Sequence, residues 1–424
     1  EPDYFVTVQQ SAVDPLTAQQ WSLSAMKIPV GVASNRRSVK VAVVDSGVCA
    51  NHPELMGKVI GGYDFVEGDA TPQDEMGHGC AVAGVIAAGH NGLGMMGVAS
   101  NAELLIYRVL NAQGSGRYSH LASAIVRAVD DGAGIINLSL GGSNASQLLQ
   151  DAIAYAQNRG VVVVASSGNN GSSSVLYPAR YEGVVSVGAT GRDFNPAVFS
   201  NYGKVDVWAP GVEVLSLTVG GDYATFNGTS FAAPNLSGLL ALTVGEGAPI
   251  TVRGGGFALY RDPTLVALPT VTPEQSPTPT ITPTTVVASE KLQGFYTEIE
   301  QNGSTSVIVG LAGAFSMSAD PSFMAQQQVQ INALRDGVIA SLSTFDVEIL
   351  SLSNEWAIPA LALQVDRAAL DMLASSIQIS YIVKNGVSYP TMDSSLQAIG
   401  VVPTLRNLGY YGAGNPNNAV AVLD

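Results

Sequence analysis

Between residues 39 and 240, short runs dominated by apolar side chains alternate with longer stretches of helical periodicity, and few folds accommodate that alternation. Residues 39–44, 104–107, 135–138 and 161–164 lack the regular polar positions that a strand with one wet face would show. Strands of this kind must be covered on both faces. The segments between them that suit helices, at 81–88, 119–131 and 145–158, supply such cover. The pattern predicts an α/β domain with a parallel sheet flanked by helices.

The rest of the chain, 424 residues in all, leaves room for further domains. An apolar fraction of 46% and a mean hydropathy of +0.24 favour folded structure over disorder. No apolar run reaches the ~18 residues expected of a spanning helix, so no membrane span is predicted. Nineteen basic residues against 34 acidic ones give a net charge of −15, which argues against a nucleic-acid partner and suits an exported protein. Cys49 and Cys80 are the only cysteines, too few for a disulfide scaffold and not spaced as a CxxC metal motif. No signal peptide is visible, and Glu1-Pro2-Asp3-Tyr4 reads as the interior of a longer sequence.

Three residues of the α/β region form a chemical set. Asp45 closes an apolar strand, a position that faces the ligand crevice of α/β proteins. His78, within Gly77-His78-Gly79-Cys80, opens a small-residue helix, and Ser230 follows Asn227-Gly228-Thr229 at the start of another. A serine hydroxyl becomes a useful nucleophile only when an imidazole takes its proton. The imidazole in turn needs a buried carboxylate to fix its tautomer. The free N–H at the start of the serine helix can meet a developing oxyanion. Each residue alone is weak, but the order Asp, His, Ser is one of three known for such triads.

The stretches VAVVDSGV, GHGCAVAG and NGTSFAAP, with NGLGMMGVA, IINLSLGG, ASSGNNG and FSNYGKVDVWAPG, resemble the conserved blocks of the subtilase family of serine peptidases. The likeness runs almost continuously from about residue 17 to residue 242. It implies a peptidase with Asp45, His78 and Ser230 as triad, acting on polypeptides as a secreted monomer and requiring no cofactor for its chemistry. By position Asn169 resembles the oxyanion asparagine, a donor whose loss costs ~10²–10³ in kcat. Gly114-Ser115-Gly116 and Ser139-Leu140-Gly141 resemble the two backbone edges that clasp an extended substrate. Leu176 falls where a glycine gives the specificity pocket depth, so a shallow pocket for small or medium P1 residues is expected. Glu54 and Asn91 fall where the family binds structural calcium.

Some positions depart from the family. Cys80 and Ala81 replace a Thr-His pair, and Asn235 stands where histidine is common. The nearness of Asp45 to His78 suggests a Cys49–Cys80 disulfide, with two buried free thiols as the alternative. After the serine helix, the expected closing helix and strand are not evident in residues 245–270, which suggests a trimmed domain.

Residues 269–285 (PTVTPEQSPTPTITPTT) read as a stiff extended linker, assigned broadly to 261–300, after a catalytic domain at 14–260. Residues 301–390 follow a β-α-β-β-α-β order, with a hairpin around Ser353-Asn354-Glu355, that of a small ferredoxin-like α+β unit. This unit resembles the inhibitory propeptide of subtilases. The run 419–424 parallels 40–45, so Asp424 reads as the triad aspartate of a second unit starting in 391–424, and residues 1–13 as the remnant of a first propeptide.

Overall fold

The computed structural model describes residues 13–35, 37–245, 256–259, 289–313, 321–352 and 359–390. The strands of its first part are β1 (Lys40–Asp45), β2 (Val59–Asp64), β3 (Glu103–Arg108), β4 (Gly116–Arg117), β5 (Ile135–Leu138), β6 (Leu140–Gly141), β7 (Val162–Ser166), β8 (Val185–Thr190), β9 (Val207–Pro210), β10 (Val214–Leu217), β11 (Tyr223–Phe226) and β12 (Gly256–Phe257). Eight of them form one parallel sheet in the order β12-β9-β8-β7-β5-β1-β3-β2. The helices of this part are α1 (Trp21–Ala25), α2 (His78–Ala87), α3 (Tyr118–Asp130), α4 (Gln147–Asn158) and α5 (Thr229–Gly245).

The apolar strands are explained by what each face meets. Successive side chains of a strand point to opposite faces. Val41 and Val43 of β1 join Val82, Ile86, Leu236 and Leu239 of α2 and α5 in one core. Ala42 and Val44 join Leu121, Ile125, Leu149 and Ile153 of α3 and α4 in the other. The sheet is therefore the α/β layer expected from the sequence. A closing strand is also present: β12 pairs parallel with β9, Gly256 opposite Val207 and Phe257 opposite Trp208. Two residues held by backbone pairing carry no apolar pattern, which is why the sequence suggested a trimmed edge.

The second part holds α6 (Ser289–Asn302), β13 (Thr305–Leu311), α7 (Pro321–Ser341), β14 (Glu348–Leu352), β15 (Ala360–Val365), α8 (Arg367–Ser375), β16 (Ile379–Lys384) and β17 (Val387–Pro390). Its antiparallel sheet runs β14-β15-β13-β16. Helix α6 corrects the linker boundary: Leu292, Phe295 and Ile299 form an apolar stripe buried with Val307, Val338, Leu363 and Leu370. The Pro/Thr-rich run 269–285, the hairpin tip at 353–355, residues 1–12 and Asp424 lie outside the described residues.

The two parts touch. Ile308 and Ala360 are buried in the same cluster as Leu121 and Leu149 of the α/β part. Beyond β16, β17 leaves its own sheet and becomes the middle strand of a separate one, β4-β17-β6.

Candidate active site

Asp45 ends β1, opposite Arg108 of β3, with its side chain fully buried. Its Oδ1 accepts from the His78 Nδ1–H at 2.6 Å and from the Ser46 backbone N–H at 2.7 Å. His78 is the first residue of α2, preceded by Gly77 in the left-handed region at φ 97°. Its Nε2 is buried and has no hydrogen-bond partner. The ring lies edge-on to Phe231, at 5.7 Å between centroids, and Phe231 stacks on Phe226.

A carboxylate that the sequence reading passed over organises this corner. Asp74 Oδ1 accepts from the N–H groups of Met76 and Gly77 and from the Ser46 hydroxyl, while Oδ2 accepts from the Cys80 N–H, all at 2.7–2.9 Å. Burial pushes the Asp74 carboxyl above its usual range, and these donors oppose that shift. Ser46 Oγ also accepts from the Gly79 N–H at 2.9 Å, tying the turn after Asp45 to the first turn of α2. A Cβ on Gly79 would sit 2.1 Å from the Gly47 carbonyl oxygen, so only glycine permits this approach. Cys49 and Cys80 are joined as a disulfide with Cα atoms 5.2 Å apart, bridging the same two segments.

Ser230 is the second residue of α5, fully buried, and its hydroxyl donates to the Ser139 carbonyl at 3.0 Å. The Ser139 hydroxyl returns a bond to the Ser230 carbonyl at 2.8 Å. That carbonyl needs it: Pro234, four residues on, has no N–H to close the helix ladder. The proline sits past the first turn of α5, and a side chain from outside the helix compensates. Asn169 Oδ1 accepts from both the N–H and the hydroxyl of Thr229, which orients the amide beside the start of α5.

Two short strands border the cleft. Asn111 braces the loop leading to β4, its side chain accepting from the Ser115 N–H at 2.9 Å, and Gly114 turns the chain at φ 73°. On the other side Ser139 leads into β6. Leu176 lies against Gly141 and Gly168: a Cβ on Gly141 would be 3.0 Å from the Leu176 Cβ, and one on Gly168 would be 2.9 Å from its Cγ. The structure thus brings Asp45, His78, Ser230, Asn169, Gly114, Ser115, Gly116, Ser139, Leu140, Gly141 and Leu176 around one cleft at the carboxyl edge of the sheet.

The sequence pattern of the subtilase family (peptidase S8) matches residues 36–252. The chain belongs to the subtilase family. It is 49% identical over 210 residues to a thermophilic serine proteinase of Bacillus sp. (strain AK1), which covers 49% of this chain and 52% of that protein. It is 45% identical to thermitase of Thermoactinomyces vulgaris over 75% of that protein, and 46% identical to subtilisin Savinase of Lederbergia lenta over 82% of it. The subtilase part thus accounts for about half of this chain, and the chain spans about half the length of the Bacillus proteinase.

Within this subtilase fold Glu54 and Asn91 take up positions away from the cleft. Glu54 is buried, its Oε1 accepting from the Met95 N–H and the Tyr223 hydroxyl, and its Oε2 is buried without a partner. Asn91 Oδ1 accepts from the Leu93 N–H, while its own N–H and that of Gly92 donate to Asp14, which also meets His90 Nδ1 at 2.6 Å. Among the described residues, no group of three or more His, Cys, Asp or Glu side chains is placed to hold a metal ion. Arg108, also unremarked in the sequence, is buried and pairs with Asp64 at 2.9 Å and Glu75 at 2.7 Å beneath the Asp45 strand end. No helix of the described residues is long and apolar enough to cross a membrane.

Proposed function

We propose that the chain is a secreted serine endopeptidase that hydrolyses peptide bonds through an acyl-enzyme. The observation that carries this reading is the 2.6 Å bond from His78 Nδ1 to buried Asp45, which leaves Nε2 as the proton-accepting nitrogen. Ser230 attacks the scissile carbonyl as His78 takes its proton, and Asp45 stabilises the imidazolium. The Ser230 N–H and the Asn169 amide receive the oxyanion. His78 then protonates the leaving amine, and water releases the acyl group by the same route in reverse. An extended polypeptide lies between β4 and β6, with its P1 side chain toward Leu176. None of these steps calls on a cofactor.

The acidic balance and the Cys49–Cys80 disulfide support an extracellular, oxidising setting. The unpartnered Oε2 of Glu54 favours a structural calcium ion held by Glu54 and Asn91, which would add stability and take no part in the chemistry. Residues 301–390 serve as a propeptide-like inhibitory domain, followed in 391–424 by the start of a second unit with Asp424 as its triad aspartate, and the whole acts as a monomer. A second reading makes this domain a peptidase-binding module in a chain that performs no catalysis. β17 in the cleft favours the binding half of that reading. A fluorophosphonate probe decides between the two: the folded chain labels at Ser230 and Ser230→Ala does not. A folded chain that stays unlabelled would support the second reading.

A further inference from the structure

We infer that Asn201, a fully buried side chain between β8 and β9, is the positioning residue that holds Asn169 in place for the developing oxyanion. The inference rests on the peptidase reading above and adds a residue to it.

The problem it solves is visible in the sequence. Asn169 belongs to the loop that leaves β7, and residues 167–174 (SGNNGSSS) include no apolar side chain that could anchor that loop in a core. A donor meant for a transition state must be held within about 0.5 Å of its productive position. Hydrogen bonds are what remains to hold it.

The Asn201 carboxamide supplies them on both sides of Asn169. Its Nδ2 donates to the Ser167 carbonyl at 3.2 Å, and to the Ser174 carbonyl and Asn170 Oδ1, each at 3.1 Å. Its Oδ1 accepts from the N–H groups of Asn170 and Ser172, each at 3.0 Å. The Asn201 main chain joins in: its N–H donates to the Gly168 carbonyl at 2.9 Å, and its carbonyl accepts from the Ser167 hydroxyl at 3.1 Å. Residues 167, 168, 170, 172 and 174 are thus all bonded to Asn201, while the Asn169 side chain turns toward Thr229.

The fit is specific to an amide. A carboxamide offers two N–H donors and an oxygen with two lone pairs, and here both ends are used. Aspartate has the same outline but, when ionised, no hydrogen to give the three acceptors, and alanine has neither function. The loop also approaches closely, since a Cβ on Gly168 would sit 2.4 Å from Asn201 Nδ2. Without Asn201 the Asn169 amide would still be present but no longer preorganised. A misplacement of about 1 Å from a remote substitution can cost ~10² in rate, whereas full loss of an oxyanion donor costs ~10²–10³.

The test is a double-mutant cycle in the full chain: wild type, Asn169→Ala, Asn201→Ala and the pair, assayed on a peptide p-nitroanilide with Ala at P1. β17 is present in every variant, so each is read as a ratio to wild type. Asn201→Ala should lower kcat ~10-fold or more and move KM by less than about twofold. In the Asn169→Ala background the same substitution should lower kcat by less than about twofold, because no donor is left to misplace. Equal losses in the two backgrounds, a wild-type kcat in Asn201→Ala, or a loss carried wholly by KM overturns the inference and leaves the peptidase reading intact. If Asn201→Ala does not fold, Asn201→Ser, which keeps one donor and one acceptor, runs the same cycle with a smaller kcat loss. Where β17 blocks hydrolysis, the rate of fluorophosphonate labelling at Ser230 reads the cycle instead. A folded wild type that neither hydrolyses the peptide nor labels sinks the peptidase reading, and this inference with it.

Discussion

Replacing Leu176 with glycine should deepen the specificity pocket. The backbone there is held at both ends, the Leu176 N–H donating to Ser167 O and its carbonyl accepting from Arg180 N–H, each at 2.9 Å. The substitution therefore empties side-chain space between Gly141 and Gly168 without moving the wall. Four carbons are removed, and at ~0.8 kcal/mol per buried CH₂ an aromatic P1 group filling that space gains about 3 kcal/mol at most. That corresponds to a rise on the order of 10² in kcat/KM for Phe relative to Ala at P1. Glycine also loosens the unfolded chain, at a stability cost of about 0.5–1 kcal/mol. The assay is kcat/KM across peptide p-nitroanilides differing only at P1, run on wild type and Leu176→Gly after release of β17. Wild type should favour small and medium residues, and the variant should shift toward Phe and Tyr. A wild-type profile already dominated by Phe or Tyr, or a Phe-to-Ala ratio untouched by the substitution, would refute the placement of Leu176 in the pocket.

Two other outcomes are expected. The Cys49–Cys80 disulfide closes a loop of 31 residues, so replacing both cysteines by alanine should lower unfolding free energy by about 3–4 kcal/mol in urea, and two titratable thiols in the unreduced, unfolded protein would contradict the bond. His120 on α3 is lowered to about 4, chiefly by burial and then by Arg117, against the opposing pull of the Asp64 carboxylate and of a bond to the Leu350 backbone across the domain contact. A depressed histidine stabilises the fold fully above its free value near 6.5 and loses that contribution as pH falls toward 4. Asp130 and Asp151, raised by burial, act in the opposite sense, so the readout is the difference in urea midpoint between wild type and His120→Phe. That difference should shrink steadily from pH 7 to pH 4, and a constant gap would count against the assignment.

What could be read from the sequence follows from where each element gets its specification. β1, β3, β5 and β7 are buried on both faces, so their side chains carry the message directly. Strand β12 is held mainly by backbone pairing, and the hairpin β10–β11 buries Val214, Leu215 and Leu217 within only four residues, too short a run to mark a strand in the sequence. Helix α6 was assigned to the linker because composition, rather than the stripe of Leu292, Phe295 and Ile299, set the boundary. Asp45, His78, Ser230 and Asn169 stand in sequence motifs that name reacting groups. Asp74 and Arg108 were missed because they act on backbone amides and on carboxylates from another strand and a loop, which no local pattern reveals. The insertion of β17 depends on a register between segments 272 residues apart, as in the Ser388–Gly116 contact, and a single sequence does not encode that openly.

The departures from the family pattern fall on packing and leave Asp45, His78 and Ser230 in place. Ala81 lies in a small cluster with Val214, Phe226 and Phe231, and its carbonyl accepts from the Ser216 hydroxyl. A histidine there would displace the aromatic pair on which the His78 ring rests. Asn235 donates to the Pro210 and Phe231 carbonyls, bracing α5 at the turn where Pro234 interrupts the ladder. Cys80 keeps its N–H on Asp74 and spends its side chain on the disulfide. Asp45 and His78 are thus fixed by three separate devices: the register of β1, the hydrogen bonds gathered by Asp74, and the covalent bridge. Ser230 is fixed by a fourth, its reciprocal bonds with Ser139. Because these devices share few atoms, losing any one should shift stability more than it shifts the Asp45–His78 bond. Reducing the disulfide in the folded protein is the cleanest case: thermal stability should fall while kcat on a small peptide substrate stays within about twofold, a margin of roughly 0.4 kcal/mol in the barrier.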